Sequence, residues 1–94
     1  MPIGILTLQI HLPGCTSLKE KRGRLQPLLT RLHREFNISV AEVEHQDVWQ
    51  SATIACALVG TQAGHTQRSL QKICQWVETH WPDVTVIDDQ IELI

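Results

Sequence analysis

Hydrophobic and polar positions alternate at the start of the chain. Leu6, Leu8, Ile10 and Leu12 fall on one side of an extended backbone, with Ile5, Thr7, Gln9 and His11 on the other. A period of two with β-branched residues predicts a half-buried strand, and Pro13-Gly14 breaks it. The period then changes. Leu18, Leu25, Leu28, Leu29, Leu32 and Phe36 recur at helical spacing and form one apolar stripe about 100° wide. Ser17 stands before them as an N-cap, with Glu20 three residues on to complete a capping box. Gly23 weakens this helix by about 1 kcal/mol relative to alanine and either permits close approach of another backbone or is simply tolerated. Pro27 costs roughly 3 kcal/mol in an ordinary helix interior, so a kink or a partly separate first turn is expected. Asn37 is a plausible end.

Residues 38–45 predict a second strand with acids on one side, and 46–50 a connection without glycine or proline. Residues 51–59 are apolar on both faces, as a central strand requires. After a turn at Gly60 to Gly64, a second helix is expected from Thr66 to His80, its stripe made by Leu70, Ile73, Cys74, Val77 and Trp81. Pro82-Asp83 closes it. Residues 84–93 form a last strand, in which Asp88-Asp89 interrupts the alternation and predicts a bulge or register change.

The order β-α-β-β-α-β over a single domain of 94 residues predicts an α/β (α+β) ferredoxin-like sandwich, a four-stranded antiparallel sheet with two helices on one face. Strands one and three are expected at the centre, parallel to each other, with strands two and four at the edges. The uncovered face, with Ile5, Thr7, Gln9, Ala55 and Ala57, is apolar enough to favour a homodimer or another partner. Apolar runs are too short for a membrane span. The N-terminus reads as a strand rather than a signal peptide, so the cytoplasm is the expected location.

Charge changes the picture. The net charge is −2, but Ser17 to Phe36 holds six basic side chains against two acidic ones, a local +4, while the rest of the chain has two against eight, or −6. A basic helix on an acidic body suggests an acidic partner or oriented self-association. Lys19, Lys21, Arg22 and Arg24 are the expected charged contact, as phosphate binding at a helix start would use them. Lys21 falls inside the apolar stripe, so its stem is expected over the core edge with its ammonium reaching an acid on a neighbouring strand. The polar hairpin end supplies a second candidate patch, His45, Gln46, Asp47 and Trp49, with the tryptophan as anchor.

Catalytic readings fare poorly. The first and third strands have no aromatic residue to stack RNA bases. The acylphosphatase pattern needs an arginine after strand one and an asparagine on strand three, and neither is present. Five scattered histidines make no i,i+4 pair. A metal reading would have to converge His45, Glu44 and Asp47 with His11, and a polar hairpin end is the simpler account. Cys15, in a turn before a basic helix, is the one thiol placed to have a lowered pKa, yet no histidine lies nearby in sequence to act as base. Cys56 and Cys74 read as small core residues. No catalytic residue, cofactor or metal is expected.

Two stretches in order, SLKEKR at 17–22 and SVAEVEHQDVWQ at 39–50, with LTLQIHLPGCTSLKEKR before and IDDQIEL after, make the chain similar to the YlxP-like bacterial family, a domain of unknown function. The resemblance covers essentially the whole chain. It implies the ferredoxin-like sandwich and no established activity, cofactor or substrate. Members are often encoded beside translation initiation and ribosome-maturation factors, which implies RNA or a ribosome-associated protein as partner. The expected function is therefore a small non-enzymatic module in translation or ribosome maturation. The alternative is a homo-oligomeric assembly module, in which the basic helix meets Glu42, Glu44 and Asp47 of a second copy.

Overall fold

The computed structural model describes residues 1–94. Its elements are β1 (Ile3–His11), α1 (Leu18–Glu35), β2 (Ser39–Glu44), β3 (Ser51–Val59), α2 (Ala63–His80) and β4 (Thr85–Leu93). The strands form one sheet in the order β2-β3-β1-β4, the ferredoxin-like arrangement. β1 pairs antiparallel with both of its neighbours, which corrects the parallel β1/β3 pairing expected above. The crossover through α1 makes β1 parallel to β2, and the β2–β3 hairpin then reverses β3.

Both helices pack on one face. Leu6, Leu8, Ile10 and Leu12 point into it from β1 and its end, and meet Leu25, Leu28 and Leu32 of α1 and Leu70, Ile73 and Val77 of α2 in one core. Helix α1 lies over the β2 side, and α2 over β1 and β4. Gly4 lets α2 approach: a Cβ there would stand 2.7 Å from Leu70 Cδ1 and Thr66 Cγ2.

Pro27 does not break α1, which continues from Leu18 to Glu35. Proline deprives the carbonyl four residues back of its donor. That residue is Gly23, and both are exposed, so water can solvate the freed carbonyl. No other group crowds Gly23, so its role is not close backbone approach. Helix α1 is capped by Phe36 rather than Asn37, and α2 begins at Ala63, three residues before the expected start. The irregularity of β4 falls between the pairs Gln9–Asp88 and Ile10–Val86, leaving Ile87 as the extra residue. A second bulge places Val43 between the pairs Glu42–Ile54 and Glu44–Thr53.

Candidate functional site

The start of α1 is built as a cap. Ser17 Oγ accepts from Glu20 N at 3.1 Å. The reciprocal arm lands one residue earlier than a standard capping box: Glu20 Oε2 accepts from Thr16 N at 2.6 Å and from its hydroxyl at 3.2 Å. The Thr16 N–H chiefly holds the Glu20 carboxyl below its ordinary value. The N–H groups of Thr16, Glu20 and Lys21 are therefore taken, and the Glu20 carboxylate stands beside the two helix-start donors that remain.

The four cations expected at this end divide into two pairs. Lys21 is buried, 1 % exposed. Its Nζ donates to the carbonyls of His45 and Val48, each at 2.7 Å, and stands 2.7 Å from Glu42 Oε2. That last contact is ionic rather than directional, because Oε2 has no partner in hydrogen-bonding geometry. Arg24 grips Asp83 with both arms, Nε to Oδ2 at 2.8 Å and Nη2 to Oδ1 at 3.1 Å. It also reaches the carbonyls of Asp83 at 2.7 Å and Pro13 at 2.8 Å. The bond to Asp83 raises the Arg24 guanidinium above its already high ordinary value. These two side chains tie α1 to the hairpin and to the α2–β4 loop. Lys19 and Arg22 are exposed and enter no ion pair.

The hairpin end is shaped by the same lysine. His45 adopts φ 62°, a left-handed conformation uncommon outside glycine and asparagine. Its carbonyl accepts from Val48 N at 3.0 Å to close a turn, and its Nδ1 lies in hydrogen-bond contact with Thr53 Oγ1 at 3.0 Å. Gln46, Asp47 and Trp49 project from this turn, and Trp49 is 49 % exposed. The structure thus brings Lys21 against the backbone of the second patch, while Lys19 and Arg22 stay apart from it on the helix surface.

Cys15 departs from expectation. It is fully buried, with Sγ donating to Ser17 O at 3.4 Å, because the turn folds its side chain inward between β1 and α1 instead of presenting it. Cys56 and Cys74 are buried as expected, and both are pushed up to about 12 by desolvation, Cys74 also by its contact with Asp89. No group of three His, Cys, Asp or Glu side chains is placed to hold a metal ion. A partly open apolar cleft of about 320 Å³ lies between the end of α1 and the start of α2, lined by Phe36, Ile38, Leu58, His65, Thr66 and Ile73 among others. It contains none of the candidate contact residues expected from the sequence.

Two features were missed in the sequence. Every lysine and arginine of the chain lies on α1 or α2, which was legible once the helices were placed. An aromatic cluster also covers the seam between the helices. Trp76 stacks on His80 and Trp81, at centroid distances of 5.1 and 6.1 Å, and meets the edge of Phe36, with Arg31 over its ring at 5.6 Å. The Trp76, His80 and Trp81 arm is local, but the Arg31 and Phe36 arm comes from the end of α1, so local periodicity could not reveal their meeting.

The family model described as "Protein of unknown function (DUF503)" matches residues 3–91. The "Uncharacterized protein YlxP" of Bacillus subtilis (strain 168) is 32 % identical over 82 residues, which cover 87 % of this chain and 88 % of that protein. Among solved structures, the "De novo designed protein Foldit4" superposes with a TM-score of 0.53 at 8 % identity, covering 100 % of this chain and 97 % of the other. That likeness concerns the fold alone.

Proposed function

The chain belongs to the DUF503 family of proteins of unknown function, and we propose that it is a small non-enzymatic module that contacts RNA phosphates, on a ribosomal RNA among others, through the outer surface of its helical layer. The observation that carries this reading is the segregation of charge: all eight lysines and arginines lie on α1 and α2, and none on a strand or connecting loop. With Lys21 and Arg24 held internally, the contact falls to Lys19, Arg22 and Arg34 of α1, with Arg68 and Lys72 of α2, all exposed. Arg31, already paired with Glu35 at 3.2 Å, is a weaker contributor. Binding of this kind reads backbone charge rather than sequence and weakens steeply with salt.

The test is fluorescence anisotropy with a labelled single-stranded RNA, together with co-sedimentation with ribosomes at low salt. Arg22→Glu with Arg34→Glu is expected to weaken binding about tenfold or more and to lower the salt slope by about two. Unchanged binding overturns the reading. If the same reversals change the sedimentation coefficient of the free protein instead, the helical layer meets the acids of a second copy.

A further inference from the structure

The sheet face opposite the helices has the reverse character. Cross-strand partners point to the same face of a sheet. Ile5 pairs with Ala57 on one side and Glu92 on the other, Gln9 with Thr53 and Asp88, and Thr53 in turn with Glu44. These side chains therefore share the uncovered face. Its centre is an apolar floor, a shallow groove of about 250 Å³ lined by Ile5, Ala41, Val43, Ala55 and Ala57 among others. Its two edges carry Glu44 on β2, and Asp88 and Glu92 on β4. No lysine or arginine reaches it, since all are on the helices.

From this pairing of an apolar floor with carboxylate edges, we infer that the open sheet face docks a cationic amphipathic segment of another protein. A second copy of this chain fits poorly in either orientation. Two open faces related by a two-fold axis bring Glu44, Asp88 and Glu92 of each copy toward one another. The helical layer offers the right charge but no fully exposed apolar ridge, its partly buried Phe36, Trp76 and Trp81 being packed on one another in the seam. The exposed large hydrophobic side chains are Met1, Val43, Val48, Trp49, Val59, Ile87, Leu93 and Ile94, and none belongs to a helix. The occupant has to bring both lysine or arginine and its own apolar side chains, and a segment with one face of each does so. This surface is separate from the helical layer, so it binds independently of any RNA.

An NMR titration of the isotope-labelled full chain with a synthetic amphipathic leucine–lysine peptide tests the inference. The expected result is amide shifts centred on Ile5, Ala55 and Ala57, with binding weakened about tenfold when Glu44 and Glu92 are both changed to lysine. Ala57→Arg, an exposed position on the floor, provides a second block should the double variant fold poorly. A leucine–glutamate peptide and an all-lysine peptide are the controls, and neither is expected to bind at this face. Shifts confined to α1 and α2, equal binding of either control, or affinity unaffected by the variants each overturn the inference. So does sedimentation of the free protein as a dimer whose protected amides are those of the floor, because a second copy then occupies the face.

Discussion

The ammonium of Lys21 and the carboxylate of Glu42 stand 2.7 Å apart, joining α1 to the edge strand β2. Lys21 is the only lysine or arginine buried in the fold. Its two carbonyl partners at His45 and Val48 explain why it is tolerated there: two hydrogen bonds and one ionic contact replace the water it gives up. Removing one member of such a pair is worse than removing both.

Lys21→Met is therefore expected to lower unfolding free energy by about 3 kcal/mol, toward the low end for a buried pair because the Glu42 side chain keeps some solvent contact. Urea denaturation measures it. Adding Glu42→Leu is expected to restore about 1 kcal/mol, with the remainder left chiefly in the Val48 carbonyl, since the His45 carbonyl still accepts from Val48 N. A double variant less stable than Lys21→Met would refute the pairing.

The Arg24–Asp83 clamp is weaker, because the Asp83 side chain is 53 % exposed and screened by solvent. Asp83→Asn is expected to cost no more than about 1 kcal/mol and to lose even that in high salt. Arg24→Ala, which also strips donors from the carbonyls of Pro13 and Asp83, is expected to cost about 2 kcal/mol. Thermal unfolding at low and high salt separates the two.

Glu20 gives the helix start a pH dependence. Its carboxyl is held below the ordinary value of 4.5, first by the Thr16 N–H. A carboxyl group lowered by folding contributes stability above its unfolded pKa and loses it as pH falls through the folded value. The gap in Tm between the native chain and Glu20→Gln is expected to be full at neutral pH and to close in acid. A gap that persists once Glu20 is protonated would contradict the assignment.

The thiols respond at the other end of the scale. Cys56 and Cys74 are pushed up to about 12 by desolvation, so their contribution to stability is full below the unfolded thiol value and is lost as pH rises toward 12. At mildly alkaline pH a thiol reagent such as DTNB is expected to react slowly with all three cysteines of the folded chain, Cys15 included because it is fully buried. It should titrate all three rapidly in denaturant. Fast reaction of a single thiol in the native protein would show Cys15 to be accessible.

Gly60 has a simpler steric role. A Cβ there would fall on Thr66 Oγ1, a buried hydroxyl that already donates to Gln62 O at 3.0 Å. Gly60→Ala is expected to destabilise by about 1–3 kcal/mol, and Thr66→Ala in the same chain to relieve part of it. Additive losses in a double-mutant cycle would argue against the contact.

Local patterning made most of the fold legible. Period-two alternation located β1, the leucine stripe located α1, and the Ser17–Glu20 spacing marked the helix start to within a residue. Lys21 betrayed itself by standing in an apolar stripe, which is why an acid on a neighbouring strand was the expected partner. Arg24 gave no such sign, because its partner Asp83 lies 59 positions away and only the sheet topology brings them together. Cys15 misled for a related reason: a turn between proline-glycine and a polar helix start looks exposed, and only the packing of β1 on α1 decides which way its side chain faces. Pro27 shows the converse, a local penalty made tolerable by solvent exposure.

The hairpin end between β2 and β3 has only one of the residues that ordinarily bend a chain, Asp47. It contains no glycine or proline from Glu44 to Gln50, yet it closes in a tight turn whose carbonyls are gathered by an ammonium from α1. The mould is thus supplied from outside, through backbone atoms that every amino acid shares. Because Lys21 grips carbonyls and not side chains, its hold on the turn does not depend on the identities of Gln46 and Trp49, which can change while Lys21 stays.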